Sequence, residues 1–147
     1  MNHSDQCTAF VAAWEALRLK AYRDGAGIPT IGYGHIKGVQ MGDTCTQEQA
    51  LDWLSEELAT ASDDVDRLVV IPLEQHRFDA LTSWVYNCGA GALATSNLLK
   101  CVNAALHDQA AVQMLRWNKA GGNVTRGLLA RRAGEALMYA LDDYTGT

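Results

Sequence analysis

Residues 14–35 decide the fold, and they read Trp-Glu-Ala-Leu-Arg-Leu-Lys-Ala-Tyr-Arg-Asp-Gly-Ala-Gly-Ile-Pro-Thr-Ile-Gly-Tyr-Gly-His. From residue 20 the helical spacing of apolar residues stops, and two short runs flank the four-residue loop Asp-Gly-Ala-Gly, which predicts a β-hairpin. Pro29 has no N–H and therefore belongs on an edge of this hairpin. Gly32 and Gly34 leave room for another backbone or a ligand to come close. The stretch thus predicts a helix that runs into a glycine-rich hairpin.

Three side chains in this stretch can carry chemistry: Glu15, Asp24 nine positions later, and Thr30 six further on. Glu15 borders the apolar positions Val11 and Trp14, where partial desolvation would favour its protonated form. Each residue also has a purely structural explanation. Glu15 fits a solvated helix, Asp24 is a favoured turn residue, and Thr30 is a β-branched strand residue. Only their combination points to a site.

Two carboxyl groups in different surroundings are what the cleavage of a glycosidic bond requires. Glu15 suits the acid that protonates the leaving oxygen, and Asp24, on a polar turn, suits the ionised partner. Thr30 could hold the attacking water. Motifs of a serine-hydrolase elbow, a zinc protease and a phosphate loop are absent. We expect the scattered histidines to be structural and the tryptophans to pack in the core; these residues are His3, His35, His76, His107, Trp14, Trp53, Trp84 and Trp117.

Helices account for most of the remaining chain. Ser4 or Thr8 can cap the first helix. Thr46 with Gln49 forms a capping-box pattern that opens a long helix, which we expect to reach about residue 68. Residues 73–86 predict a central buried helix that ends through Gly89.

Three further helices are expected after this glycine. We expect Ser96 to cap a helix over 98–105, Asp108 to cap one over 109–118, and residues 128–144 to form the last helix. Leu137, Met138 and Leu141 are expected to face inward. The predicted fold is α+β and mainly helical, a single domain with a hairpin lobe (about 19–58) joined by the long helix to a helical lobe (1–18 and about 68–147).

Composition narrows the function classes. The chain has 147 residues, with 12 Lys and Arg against 17 Asp and Glu, a formal charge of −5 that disfavours nucleic-acid binding. No apolar run approaches the ~20 residues of a membrane span, and the first residues are not those of a secretory signal. The cysteines show no metal-like spacing, and we expect free thiols and no metal at the following positions: Cys7, Cys45, Cys88 and Cys101.

The motifs resemble those of the T4-type phage lysozyme and endolysin family (glycoside hydrolase family 24), closest to the soluble endolysins of lambdoid-type phages. The likeness includes Glu15-(8)-Asp24-(5)-Thr30 and covers nearly the whole chain in order. Later landmarks are Tyr86-Asn-Cys-Gly89, Thr95-Ser-Asn-Leu-Leu99, Trp117-Asn-Lys-Ala-Gly-Gly122 and Gly127-Leu-Leu-Ala-Arg-Arg132.

The resemblance implies an endolysin that hydrolyses the β-1,4 bond between N-acetylmuramic acid and N-acetylglucosamine in peptidoglycan, with inversion and without a cofactor. Glu15 would be the general acid, Asp24 the carboxylate that orients or activates water, and Thr30 its water-holding partner. Residues matching the sugar cleft are Ile36, Tyr86 and Ser96. Arg131 or Arg132 would match the arginine that pairs with the catalytic glutamate, and the sequence leaves the choice open.

The same resemblance gives expectations about context. We expect a monomer without a membrane anchor that stays in the host cytoplasm until a holin releases it to the cell wall. The alternatives are a lytic transglycosylase, a non-catalytic glycan-binding or structural derivative of the fold, and a small acidic helical interaction protein. The last explains the helices but neither the glycines nor the acids of the hairpin.

Overall fold

The chain folds into seven helices and two small antiparallel hairpins in a computed structural model that describes residues 1–147. The α+β, mainly helical fold is therefore confirmed. The elements are α1 (Asp5–Trp14), β1 (Arg18–Arg23), β2 (Pro29–Gly32), α2 (Gln47–Leu68), α3 (Gln75–Cys88), α4 (Ala90–Ala94), α5 (Asn97–Asn103), α6 (His107–Met114), β3 (Lys119–Ala120), β4 (Asn123–Val124) and α7 (Arg126–Leu141). No helix is long and apolar enough to cross a membrane.

The first hairpin forms where the sequence predicts it. Tyr22 pairs with Thr30, and Pro29 lies at the first position of β2, where its missing N–H breaks no strand interior. Gly32 adopts φ +67°, and a Cβ at this position would lie 3.0 Å from Cβ of Ala50 on α2. This glycine therefore allows the hairpin to rest directly on α2.

Helix α2 connects the hairpin to the other helices, as expected. Both hydrogen bonds of the capping box between Thr46 and Gln49 are present, and the helix continues for 22 residues to Leu68. It contacts β2, α1, α3 and α4, so it lies against both parts of the molecule. Its buried face provides Leu54, Leu58 and Val65 to the core.

Helix α3 is the centre of the core. Phe78, Leu81, Trp84 and Val85 are all buried, as the apolar spacing predicts, and α3 packs against α1, α2, α4 and α7. The helix ends at Gly89, whose φ of +96° favours glycine.

Some helix bounds differ from the prediction. Ser4 caps α1, and the helix ends at Trp14, so Glu15 is its C-terminal cap rather than an interior residue. Helix α6 has no side-chain cap from Asp108, and it ends at Met114 because the chain then turns towards β3.

The expected inward face of α7 is wrong in part. Met138 is buried, but Leu137 and Leu141 are exposed. The helix instead buries a polar stripe, and Thr125 caps it at Arg126. The residues of this stripe are Arg131, Arg132 and Glu135. Apolar spacing alone therefore rotates the predicted helix away from its true buried face.

Candidate active site

Glu15 lies at the point where α1 ends and the chain turns into the hairpin. Its backbone is extended (φ −97°, ψ 140°), and its N–H donates to the carbonyl of Ala12. The side chain is 31% exposed, and Oε1 accepts a hydrogen bond of 3.2 Å from Nη1 of Arg131. The carboxyl group is therefore half-buried and in contact with a buried cation.

The choice between the two arginines is resolved by their contacts. Arg131 on α7 reaches Glu15, whereas Arg132 points elsewhere. Its Nη2 donates to Oδ1 of Asn87 at 2.8 Å, and its Nη1 contacts the sulfur of Cys88 at the end of α3. Arg131 is thus the partner of Glu15, and Arg132 ties α7 to the end of α3.

Asp24 is held by the backbone of its own turn. Its Oδ1 accepts hydrogen bonds from the N–H groups of Ala26 and Ile28, both at 2.9 Å. Its second carboxylate oxygen accepts no hydrogen bond within the protein. Because the backbone donors favour the charged form, the turn presents a carboxylate with one oxygen available.

Thr30 is buried, and its hydroxyl is tied to the same turn. Its Oγ1 donates to the carbonyl of Ile28 at 2.9 Å, and that carbonyl also accepts from the N–H of Asp24. The peptide groups of Ile28 therefore orient both side chains. With its proton donated to the backbone, the hydroxyl of Thr30 retains acceptor capacity only, which is the role suited to receiving a water proton.

The three residues expected to line a sugar cleft lie in different settings. Ile36 is exposed. Tyr86 is half-buried, and burial, with the nearby charges of Glu57 and Glu15, raises its pKa to about 12. Ser96 is buried and is occupied with capping: its hydroxyl donates to Leu93 at 2.7 Å and accepts from Leu99. Ser96 is therefore the least suited of the three to contact a sugar directly.

Two pairings near this region were not predicted. Nδ1 of His35 lies 2.7 Å from Oε1 of Glu57, and the imidazole stacks on Trp53 with ring centroids 4.3 Å apart. Glu135 on α7 contacts both Arg131 and Arg132. The first pairing joins positions 22 residues apart and has no local signal, whereas Arg-Arg-x-x-Glu at helical spacing could have indicated the second.

The structure provides no obvious metal or redox centre. No group of three or more His, Cys, Asp or Glu side chains lies close enough to hold a metal ion. The four cysteines are free thiols. What the arrangement offers is one half-buried acid beside an arginine, and one turn-held carboxylate beside a buried hydroxyl.

Known proteins with similar sequences and structures support the same assignment. A model of the family described as Phage lysozyme matches residues 12–135. The endolysin of Acyrthosiphon pisum secondary endosymbiont phage 1 is 37% identical over 143 residues, covering 95% of this chain and 98% of that protein. The endolysin of Salmonella phage P22 is 41% identical over 131 residues, covering 86% and 90%.

A solved structure agrees with the sequence matches. The endolysin from Escherichia coli O157:H7 phage FAHEc1 superposes with a TM-score of 0.89 at 37% identity, covering 98% of this chain and 96% of that one. The family expected from the motifs is confirmed. The chain belongs to the phage lysozyme family.

Proposed function

We propose that this protein hydrolyses the β-1,4 bond between N-acetylmuramic acid and N-acetylglucosamine, with inversion and without a cofactor. Family membership makes the chain a lysozyme-type glycosidase and a peptidoglycan-lysing endolysin. The bond, the stereochemistry and the residue roles go beyond that membership. They are supported by the chemistry of the side chains around Glu15 and Asp24.

In this mechanism Glu15 is the general acid. It protonates the glycosidic oxygen as the bond breaks, and Arg131 holds its carboxyl group in place through the contact at 3.2 Å. The arginine also stabilises the carboxylate that remains after the proton is transferred. Half-burial leaves Glu15 accessible to a sugar chain.

Asp24 and Thr30 together orient the water that attacks the anomeric carbon. Asp24 would accept a proton from the water through its available oxygen, and Thr30 would accept a hydrogen bond from the second O–H. The observation that carries the proposal is that Ile28 binds both side chains, through its N–H and its carbonyl. A preoriented pair of this kind serves hydrolysis and would be unnecessary in a transglycosylase, which uses no water.

Substrate contacts and cellular context complete the proposal. Ile36 and Tyr86 would contact the glycan strand, and Ser96 would support the cleft from beneath by holding α5. The protein would act as a monomer, without a membrane anchor, on peptidoglycan strands. It would remain in the host cytoplasm until a holin allows it to reach the wall.

The test is product analysis on purified peptidoglycan with the wild type and Glu15→Gln. The amide keeps the shape and removes the acidic proton, so we expect new reducing ends from the wild type only, with the α-anomer formed first as inversion requires. An anhydro-sugar product would instead indicate a transglycosylase. Binding of glycan without any product from the wild type would indicate a non-catalytic glycan-binding protein, and a fully active Glu15→Gln would refute the role of Glu15.

A further inference from the structure

Glu135 is a fully buried carboxylate that the proposed mechanism does not use. It lies on α7, three residues after Arg132 and four after Arg131, so all three side chains share one face of the helix. Its side chain has 0% exposure. A charge in such a position is costly unless specific partners offset the desolvation, and the partners of Glu135 therefore indicate its purpose.

The contacts of Glu135 form a closed set. Oε1 lies 2.6 Å from Nε of Arg132, and Oε2 lies 3.5 Å from Nε of Arg131. The hydroxyl of Ser83 on α3 donates to Oε2 at 2.5 Å. Burial raises the pKa of Glu135, while the two guanidinium groups and the Ser83 hydroxyl favour its charged form. With two permanent cations and a hydroxyl donor around it, Glu135 is the anion of this cluster.

Arg131 depends on Glu135 for its orientation. Its side chain is 5% exposed and makes one hydrogen bond, from Nη1 to Glu15. Its only other polar contact is the ion pair with Glu135, and Nη2 has no partner within the protein. Without Glu135, a single contact of 3.2 Å would have to hold both the guanidinium group and the carboxyl group of Glu15.

We propose that Glu135 is a positioning residue for the general acid, holding Arg131 in the orientation that contacts Glu15 and sharing its positive charge. The series Ser83–Glu135–Arg131–Glu15 joins α3 to the end of α1 through α7. This inference rests on the proposed role of Glu15 as the acid. It assigns Glu135 no contact with substrate.

The sharing of charge has a measurable consequence. Arg131 is placed between two carboxylates, so its attraction for ionised Glu15 is partly offset by Glu135. Removing the charge of Glu135 leaves Arg131 with one anionic partner and favours the ionised form of Glu15, which cannot donate a proton. The alkaline limb of the pH–activity profile should therefore move to lower pH.

Other titratable groups around these residues are constant between variants. Glu15 faces Arg131 from α7, Tyr86 from α3 and, beyond it, Glu57 from α2. Glu135 faces Arg131 and Arg132 from its own helix, Cys7 from α1 and Cys88 from α3. Burial raises the pKa of both thiols, so neither adds a charge that would move the limb near neutrality.

The experiment measures kcat, KM and the pH profile on soluble muropeptide oligomers for Glu135→Gln, Glu135→Asp and Ser83→Ala. For Glu135→Gln we expect kcat to fall about 10–100-fold with KM within about twofold, and the alkaline limb to move down by about 0.5–1 pH unit. Glu135→Asp keeps the charge and should restore the limb to its wild-type position. The matched control is Glu56→Gln on α2, an exposed glutamate whose loss should change neither quantity.

The outcomes distinguish this inference from the proposed function. If the wild type forms no product, or Glu15→Gln is fully active, the proposed function fails whatever the behaviour of Glu135. If Glu15→Gln is inactive and a folded Glu135→Gln keeps the wild-type limb, the inference is overturned. Should Glu135→Gln not fold, Ser83→Ala decides: a smaller shift of the limb in the same direction supports the inference, and an unmoved limb overturns it.

Discussion

The two carboxylates proposed to cleave the glycan are held in opposite ways. Asp24 is oriented by backbone groups within four residues of itself, on an exposed turn. Glu15 is oriented by Arg131, which lies 116 residues away and is buried. The turn forms from local sequence alone, whereas the support of Glu15 exists only once α1, α3 and α7 have packed together. Substitutions at the two sites should therefore differ in their effects on activity and stability.

The largest effect is expected at Asp24, on activity alone. In Asp24→Asn the amide oxygen can still accept both backbone hydrogen bonds, so the turn is kept while the charge is lost. We expect kcat to fall about 10²–10⁴-fold with the unfolding free energy unchanged within about 0.5 kcal/mol. Steady-state kinetics and urea unfolding measure the two quantities.

Asp24→Ala separates the turn from the chemistry. It should lose the same activity and, in addition, about 1 kcal/mol of stability through the missing backbone hydrogen bonds. An active Asp24→Asn would leave Asp24 as a turn residue only, and would contradict the proposed mechanism.

At the other carboxylate the main effect should be on stability. Arg131→Met removes the cation between Glu15 and Glu135, and a broken buried ion pair costs about 3–5 kcal/mol. We expect about 3 kcal/mol, the lower end, because Glu135 keeps Arg132 and Ser83. Urea unfolding measures this loss.

Arg23→Met is the control from the hairpin. Its side chain donates to the carbonyl of Gly27 at 3.0 Å but is exposed, so we expect a change within about 0.5 kcal/mol. Equal losses in the two variants would show that the buried ion pairs contribute no more than an exposed hydrogen bond.

This contrast also explains what the sequence could predict. The caps at Ser4, Thr46 and Ser96 and the turn at Asp24 are all formed by side chains bonding to backbone a few residues away. Such bonds depend on residue type and spacing, which the sequence displays directly. The fold class and the hairpin were therefore predictable.

What the sequence could not provide depends on distant packing. The choice of Arg131 over Arg132 follows from the direction in which each side chain leaves α7, and this direction is set by contacts with α1 and α3. The buried face of α7 was predicted wrongly at Leu137 and Leu141 because apolar spacing cannot reveal a face that buries charges. The pairing of His35 with Glu57 likewise joins elements that are adjacent only in the folded state.

The smallest effect tests how tightly α7 is packed where it supports this series. Gly134 precedes Glu135, and a Cβ at this position would overlap the carbonyl oxygen of Gly146 and lie 3.2 Å from Phe10. Overpacking costs typically about 1–3 kcal/mol, and the helical preference of alanine over glycine returns about 0.5–1 kcal/mol. We therefore expect Gly134→Ala to lower the unfolding free energy by about 1–2 kcal/mol in urea or thermal unfolding. In the hairpin, a Cβ at Gly25 would meet nothing within 4 Å, and Gly25→Ala should be neutral or slightly stabilising.

Deletion of residues 146–147 tests the cause of this loss. The deletion removes the carbonyl that the new methyl group would overlap, so Gly134→Ala should recover most of its lost stability when compared with the deletion variant alone. If the loss persists in full, the contact with Phe10 is responsible, and α1 rather than the C-terminal tail limits the space around α7. In either case a Gly134→Ala variant as stable as the wild type would show that α7 can shift without cost, and the orientation of Arg131 could then not depend on rigid packing of this helix.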